Sequence, residues 1–198
     1  MRGCDMVEKR EVANAEAMIR PRYICCHPNS MGTGACVKFE LHPAHGYVEG
    51  SIFATFASQK TTGSYANGQM IPSTFDWDNS VTVRLTINEV AEMLEVFRGY
   101  RERLGDEKGL FHRSATGNTV ITLEHRLEPS PGYLFGVSKK SNDGKLWRIN
   151  ILLCMREMIV LSEALSSSML YMAFGIPKVI QRSDAQVGKI EAAKDIKN

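Results

Sequence analysis

The feature that most constrains the fold is a change of hydrophobic period inside one uninterrupted stretch, residues 80–97, which reads SVTVRLTINEVAEMLEVF. Val81, Val83 and Leu85 alternate with polar residues, which is typical of a strand with one buried face. From Val90 onward the apolar residues recur at the spacing of a helix face. The pattern therefore predicts a strand that passes directly into a helix.

The start of this helix has a recognisable capping signal. Thr86 and Glu89 have the spacing of a capping box, in which the hydroxyl and the carboxylate each satisfy a backbone N–H that would otherwise lack a partner. The spacing predicts that the helix begins between Ile87 and Glu89.

The same change of period recurs in residues 145–165, KLWRINILLCMREMIVLSEAL. Trp147 and Ile149 share one strand face, and Arg148 lies on the other, so Trp147 is predicted to pack in the core and Arg148 to face solvent. Apolar residues at helical spacing follow, and they predict a second helix over about 154–174, which ends before Gly175.

Strand-like segments precede each of these units, so we predict an α+β fold built of two repeats, each a roughly four-stranded antiparallel sheet followed by a helix. The repeats span about 36–105 and 110–175 and form a single domain over 36–175. Residues 1–35 are predicted to form an N-terminal arm, and residues 176–198 a mobile C-terminal tail.

The charge of the chain is small but unevenly distributed. A formal net charge of +2 does not by itself indicate a nucleic-acid-binding protein. Residues 38–105 carry six basic and eight acidic side chains, whereas residues 113–148 carry six basic and three acidic ones. The strands of the second repeat are therefore expected to be the electropositive ones.

Five cysteines, without a secretory signal at the start of the sequence, favour reduced thiols and a cytoplasmic protein. The sequence also lacks a long apolar run, so no membrane partner is expected. A cysteine- and histidine-rich set has the residue types of a zinc site, but its spacing does not match the usual paired ligands, and neither a metal nor another cofactor is expected. That set comprises Cys25, Cys26, His27, Cys36, His42 and His45.

The sequence does not favour an enzyme. His112 is close in sequence to Ser114, but the surrounding residues lack the signature of a nucleophile elbow. Asp76 and Asp78 lie beside Asn79, which is more typical of turn capping than of a metal site.

The stretches VTVRLTINEVAEML and LWRINILLCMREMI resemble the last strand and helix of the Whirly family and its relatives, the coactivator positive cofactor 4 and the kinetoplastid mitochondrial RNA-binding proteins. The resemblance covers about residues 36–175. It implies two antiparallel sheets packed together with helices at their base, and single-stranded nucleic acid lying across the exposed strand faces. The Lys-Gly-Lys-Ala motif of plant Whirly proteins is absent, so no plastid-type role is implied.

The function expected from this resemblance is binding of single-stranded nucleic acid, DNA rather than RNA, with little sequence preference, in replication, recombination or transcription. Single strands are bound by cations along the backbone and by aromatic rings that stack on bases. Strand phenylalanines are more often core residues, and surface lysines more often only solubilise. The candidate cations are Arg84, Arg148, Lys139, Lys140, Lys145, Lys38 and Lys60, and the candidate stacking residues are Phe53, Phe56, Tyr133 and Phe135.

The second helix is apolar around much of its circumference, which predicts that it also forms the interface of a homo-oligomer, a dimer or tetramer. An oligomeric scaffold that uses this helix for protein interaction, without nucleic acid, is the alternative function. The candidate interface residues are Met155, Met158, Leu165, Met169, Met172 and Phe174.

Overall fold

The structure, a computed structural model, describes residues 21–176. Residues 177–198 of the predicted tail (176–198) and the first twenty residues of the predicted arm lie outside the described residues. The elements are β1 (Arg22–His27), β2 (Ala35–His42), β3 (Ser51–Thr61), β4 (Ser64–Ala66), β5 (Gln69–Ile71), β6 (Thr74–Phe75), β7 (Val81–Leu85), α1 (Ile87–Phe97), β8 (Leu110–Ser114), β9 (Gly117–Arg126), β10 (Gly132–Ser141), β11 (Leu146–Leu153) and α2 (Met155–Phe174).

These strands form two antiparallel sheets, each followed by a helix, which confirms the predicted α+β fold. Sheet 1 has the strand order β1-β2-β3-β7, and the short strand β6 adds a fifth member by pairing with the end of β3. Sheet 2 has the order β11-β10-β9-β8. Strands β4 and β5 form a separate hairpin whose turn residues, Asn67 and Gly68, have φ angles of 53° and 76°, as a type I′ turn requires.

Residues 22–27 correct the prediction of an N-terminal arm that extends to residue 35. They form β1, which pairs antiparallel with β2 along its whole length. The segment RYICCH alternates, with Tyr23 and Cys25 facing the core, and this alternation lets the strand add to the edge of sheet 1.

The core lies between the inner faces of the two sheets. Phe39 and Phe56 of sheet 1 meet Phe135 of sheet 2, with ring centroids 5.7 Å and 4.8 Å apart. At the base of the sheets the ring of Phe97, at the end of α1, lies edge-on to Tyr133 at 5.3 Å. Burying rings of this size stabilises the fold by several kcal/mol per residue, roughly 3–5 kcal/mol by truncation to alanine.

The two helices begin with equivalent contacts. The amide of Thr86 donates to Glu89 (2.7 Å), and Glu89 also pairs with His112 of β8 (2.5 Å). In the second repeat, the amide of Cys154 donates to Glu157 (2.8 Å), and Glu157 pairs with His27 of β1 (2.6 Å). The third residue of each helix therefore joins that helix to the first strand of the other repeat.

The end of α2 is held by the loop between β2 and β3. The amides of Ala44 and Gly50 donate to the carbonyls of Tyr171 and Met172, at 2.9 Å and 3.2 Å. A Cβ atom at Gly50 would lie 2.3 Å from the Cα of Met172, so only glycine permits this approach. The loop thereby satisfies carbonyls that a helix end leaves without intrahelical partners.

The cysteines differ from the expectation of reduced thiols. Cys26 and Cys36 face each other across β1 and β2 and form a disulfide, whereas Cys25 is buried and Cys154 exposed as free thiols. Burial raises the pKa of Cys25 to about 11, so this thiol stays protonated at neutral pH. The pairing of β1 with β2 brings these two cysteines together. Their spacing along the sequence did not reveal the disulfide.

Candidate nucleic-acid interface

The outer face of sheet 1 carries a groove between its central strands and the loop before β7. Lys38, Phe53, Thr55 and Thr82 line this groove from the strands, and Trp77 lines it from the loop. The groove has a volume of about 420 Å³. It offers an aromatic surface and a cation to solvent on the face opposite the core.

A second concavity, which we call the edge cleft, lies where β7 of sheet 1 and β8 of sheet 2 come together. Its volume is about 560 Å³, and it is lined by Arg84, Phe111, Arg113 and Lys139 among others. Thr82 lines both the groove and the cleft, so the two concavities adjoin. The cleft brings together cations from both repeats that are far apart in the sequence.

Local alternation explains why Arg84, Phe111 and Arg113 face outward. In β7, Val81, Val83 and Leu85 are buried, and Arg84 between them is exposed and donates to the carbonyl of Glu49 (3.3 Å). In β8, Phe111 is 62% exposed. It shares the outer face with Arg113, because residues two apart in a strand point the same way.

The outer face of sheet 2 continues the positive surface beyond the cleft. Arg148 is exposed on β11. It belongs to one row across the four strands of sheet 2, which runs Arg148, Ser138, Val120, Phe111. The next row across the sheet holds Lys140 and Arg113. We call the whole set the cationic track, and it consists of Lys38, Arg84, Arg113, Lys139, Lys140 and Arg148.

Two of the predicted cations have other surroundings. Lys145 lies in the turn before β11, with its ammonium 4.5 Å from the ring centroid of Trp147, a cation–π contact. Trp147 packs partly against the core, on the strand face opposite Arg148. Lys60 is exposed near the end of β3, beyond the groove.

The prediction of stacking residues is wrong for three of the four. Phe56, Tyr133 and Phe135 are buried, because they lie on the inner strand faces that the opposite sheet and the helices cover. No surface for a base remains on these rings. Phe53 differs, since it lies on the outer face of β3, half-exposed, with its ring 4.2 Å from that of His42.

Trp77, Phe111 and Arg113 are not among the residues that the sequence predicts. Phe111 and Arg113 alternate with Leu110 and His112 in a strand of five residues. In so short a strand the alternation does not show which residues face the core and which face solvent. Trp77 lies in a loop, where strand parity says nothing. Only the pairing of β8 with β9 and the packing of that loop on sheet 1 assign these residues to the surface.

The predicted oligomer residues fall on both sides of α2. Met158, Leu165 and Met172 are buried within the chain, so their prediction as interface residues is wrong and they belong to the core. Met169 packs partly against the same core. Met155 and Phe174 are exposed. The rest of the exposed apolar surface of this helix comprises Ile159, Val160, Leu170 and Tyr171.

His112, Ser114 and Asp76, whose chemistry could serve catalysis or metal binding, make structural contacts. His112 pairs with Glu89, whereas the hydroxyl of Ser114 donates to the carbonyl of Gly117 (2.9 Å). Asp76 accepts from the side chain and the amide of Asn79, and these hydrogen bonds lower the pKa of its carboxyl. Within residues 21–176, no group of three or more histidine, cysteine or acidic side chains is arranged to hold a metal ion. None of the described helices is long and apolar enough to cross a membrane.

The arrangement of two sheets and two helices is that of a Whirly-like fold, and solved structures agree. WHY1 and WHY3 from Arabidopsis thaliana each superpose with a TM-score of 0.55 at 19% identity. The matches cover 87% of this chain and 94% of WHY1, and 88% of this chain and 98% of WHY3. The plant transcriptional regulator PBF-2 superposes with a TM-score of 0.53 at 18% identity, over 77% of this chain and 89% of its own.

Comparisons of sequence give no further assignment. No protein-family model matches this chain, and no curated protein matches it significantly. At the identities found, the solved structures establish the fold of the chain, which confirms the Whirly-like resemblance in its architecture.

Proposed function

We propose that this protein binds single-stranded nucleic acid with little sequence preference, along the cationic track and the aromatic residues beside it. Cations that follow the phosphate backbone and rings that stack on bases are the two elements such binding needs. Trp77, Phe53 and Phe111 are the exposed or half-exposed rings beside the track.

The edge cleft is the observation that carries this proposal. It brings Arg84 of the first repeat beside Arg113 and Lys139 of the second, and the exposed ring of Phe111 lines the same cleft. Like charges repel, so their clustering without an equal number of acidic neighbours favours an anionic ligand. A flexible single strand can follow such a curved surface more readily than a stiff duplex.

We further propose that the ligand is DNA rather than RNA and that binding supports replication, recombination or transcription. The likeness to a plant transcriptional regulator supports a role at DNA. The 2′-hydroxyl is the chemical group through which a protein distinguishes the two polymers.

We also propose that the protein forms a homo-oligomer, a dimer or tetramer, through the exposed side of α2. The exposed residues Met155, Ile159, Leu170 and Phe174 lie opposite the face that packs on the sheets. Exposed apolar side chains on one side of a helix favour association. Assembly would place several cationic tracks on one particle and increase its hold on a long strand.

The test is a fluorescence-anisotropy titration of the protein with labelled dT30, rU30 and a duplex of equal length, at several salt concentrations. We expect dT30 to bind tightest. Its log affinity should fall linearly with log salt, with a slope of about 0.7 for each phosphate contact. Arg148→Ala should weaken binding to all sequences alike and reduce the slope by about one contact.

Arg126→Ala is the matched control. Arg126 lies on the same outer face of sheet 2 but roughly 27 Å along β9 from the row of Lys140, and it pairs with Glu124 (2.6 Å). This variant should keep the slope of the wild type. If dT30 does not bind at low salt, the nucleic-acid function is wrong and the oligomeric scaffold takes its place. If both variants change the slope equally, the cationic track is not the binding surface.

A further inference from the structure

The floor of the groove on sheet 1 is an ion pair rather than a lone cation. The ammonium of Lys38 lies 2.8 Å from Oε2 of Glu40, and the two side chains are only 25% and 23% exposed. Both belong to β2, two residues apart, so they point to the same outer face. The groove thus presents one donor group and one acceptor group side by side.

The walls of the groove suit a flat ring. The indole of Trp77 lies beside the pair, with its centroid 5.8 Å from the ammonium of Lys38. The ring of Phe53 is held in place by its contact with His42. The hydroxyls of Thr55 and Thr82 bond to each other (3.0 Å) on the adjoining strands. The volume of about 420 Å³ falls within the usual range for small-molecule sites.

We propose that this groove binds one guanine base of the bound single strand, so that the protein prefers a guanine at one position. The proposal rests on the proposed function above. Guanine offers the O6 acceptor beside the N1–H and N2–H donors of its pairing edge. Lys38 donates to O6, and the two oxygens of Glu40 accept from N1–H and N2–H.

The other bases match this pair less well. Thymine has a single N–H donor on its pairing edge, and adenine and cytosine each have only an exocyclic amine for the carboxylate. Guanine alone offers a carboxylate two adjacent donors together with an acceptor for the ammonium. Hydrogen bonds to charged groups are about twice as strong as those between neutral groups. The bonds that guanine gains over the other bases are therefore strong ones.

The experiment compares dT15 with oligonucleotides in which the central base is guanine, adenine, cytosine or hypoxanthine, by fluorescence anisotropy with the wild-type chain. We expect the guanine oligonucleotide to bind roughly tenfold tighter than dT15. The hypoxanthine oligonucleotide should lose much of this gain, because its base lacks the 2-amino group that donates to Glu40.

Glu40→Gln should remove the guanine preference while it keeps the affinity for dT15 within a few-fold. The matched control is Glu124→Gln, which changes an ion-paired glutamate on the outer face of sheet 2 and should keep the preference. Lys38→Met, which removes the donor instead, should also abolish it, and circular dichroism verifies that each variant is folded. If dT15 binds but all five oligonucleotides bind alike, the guanine site is wrong and the proposed function stands. If none of them binds, both are wrong.

Discussion

At the scale of the residue, strand parity decides whether an aromatic ring belongs to the core or to the surface. Phe135 and Phe111 both lie in strands of sheet 2, yet one ring is buried against Phe39 and Phe56 and the other is 62% exposed. The difference follows from which face each side chain occupies, not from the residue type.

This contrast gives a paired prediction. Phe111→Ala should leave the free energy of unfolding almost unchanged, but it should weaken binding of dT30 by roughly 1–3 kcal/mol, the contribution of one stacked base. Phe135→Leu, a change within the core, should instead lower the free energy of unfolding and leave the affinity of the folded protein unchanged. Urea denaturation and anisotropy on the same samples measure both quantities. Unaltered binding by Phe111→Ala would remove this ring from the interface.

At the scale of the element, a glutamate in the first turn of each helix connects the two repeats by pairing with a histidine of the other repeat. Burial opposes ionisation of Glu89, but the hydrogen bonds from Thr86 and His112 outweigh it, and the pKa of its carboxyl lies below the ordinary value. The pKa of Glu157 is lowered in the same way, against burial, by His27 and Cys154. Each carboxylate therefore favours the folded state only while it is ionised.

The sign of the pH dependence follows from these lowered pKa values. The stabilisation is fully present above the unfolded-state pKa of about 4.3, and it is lost as the pH falls through the lower pKa of the folded state. Glu89→Gln keeps the hydrogen bond to the Thr86 amide but removes the charge, so it should cost roughly 1–3 kcal/mol at neutral pH.

Urea denaturation between pH 7 and pH 3 measures this effect. The free energy of unfolding of Glu89→Gln should decline less steeply below pH 4.5 than that of the wild type. Glu163→Gln, an exposed position on α2, should retain the steep decline. An identical decline in all three proteins would show that Glu89 is not the group that titrates.

At the scale of the whole molecule, α2 carries apolar side chains on two sides, and one of these sides packs within the chain. Met158, Leu161, Leu165 and Met172 pack on the sheets and α1. Leu170, 59% exposed, lies on the other side. The low amphipathicity of this helix in the sequence therefore reflects apolar residues both on the side that packs in the core and on the exposed side.

Leu170→Glu should convert the proposed oligomer to a monomer, because a buried carboxylate without a partner is strongly unfavourable at an apolar interface. Sedimentation velocity at several concentrations measures the change, and circular dichroism should show an intact fold. Tyr65→Glu is the control, since Tyr65 is also apolar and 78% exposed but lies on the β4–β5 hairpin. A wild type that is monomeric at high concentration would contradict the proposed assembly.

The sequence by itself determined where the two helices begin and which faces of the strands before them are buried. The period changes at Thr86 and Cys154 located both helix starts, and the alternation around Arg84 and Arg148 assigned both side chains to solvent, where the structure has them. These features depend on contacts between near neighbours in the chain, and the hydrophobic pattern records such contacts directly.

Only the tertiary structure decided which surfaces exist. Strand parity separates two faces but does not say which rings the opposite sheet will cover, so Phe56 and Phe135 became core while Phe111 became surface. The disulfide of Cys26 and Cys36 depended on β1 pairing with β2. The edge cleft depended on β7 meeting β8 across the two sheets. Contacts between distant segments arise from packing of whole faces, and no local spacing in the sequence records them.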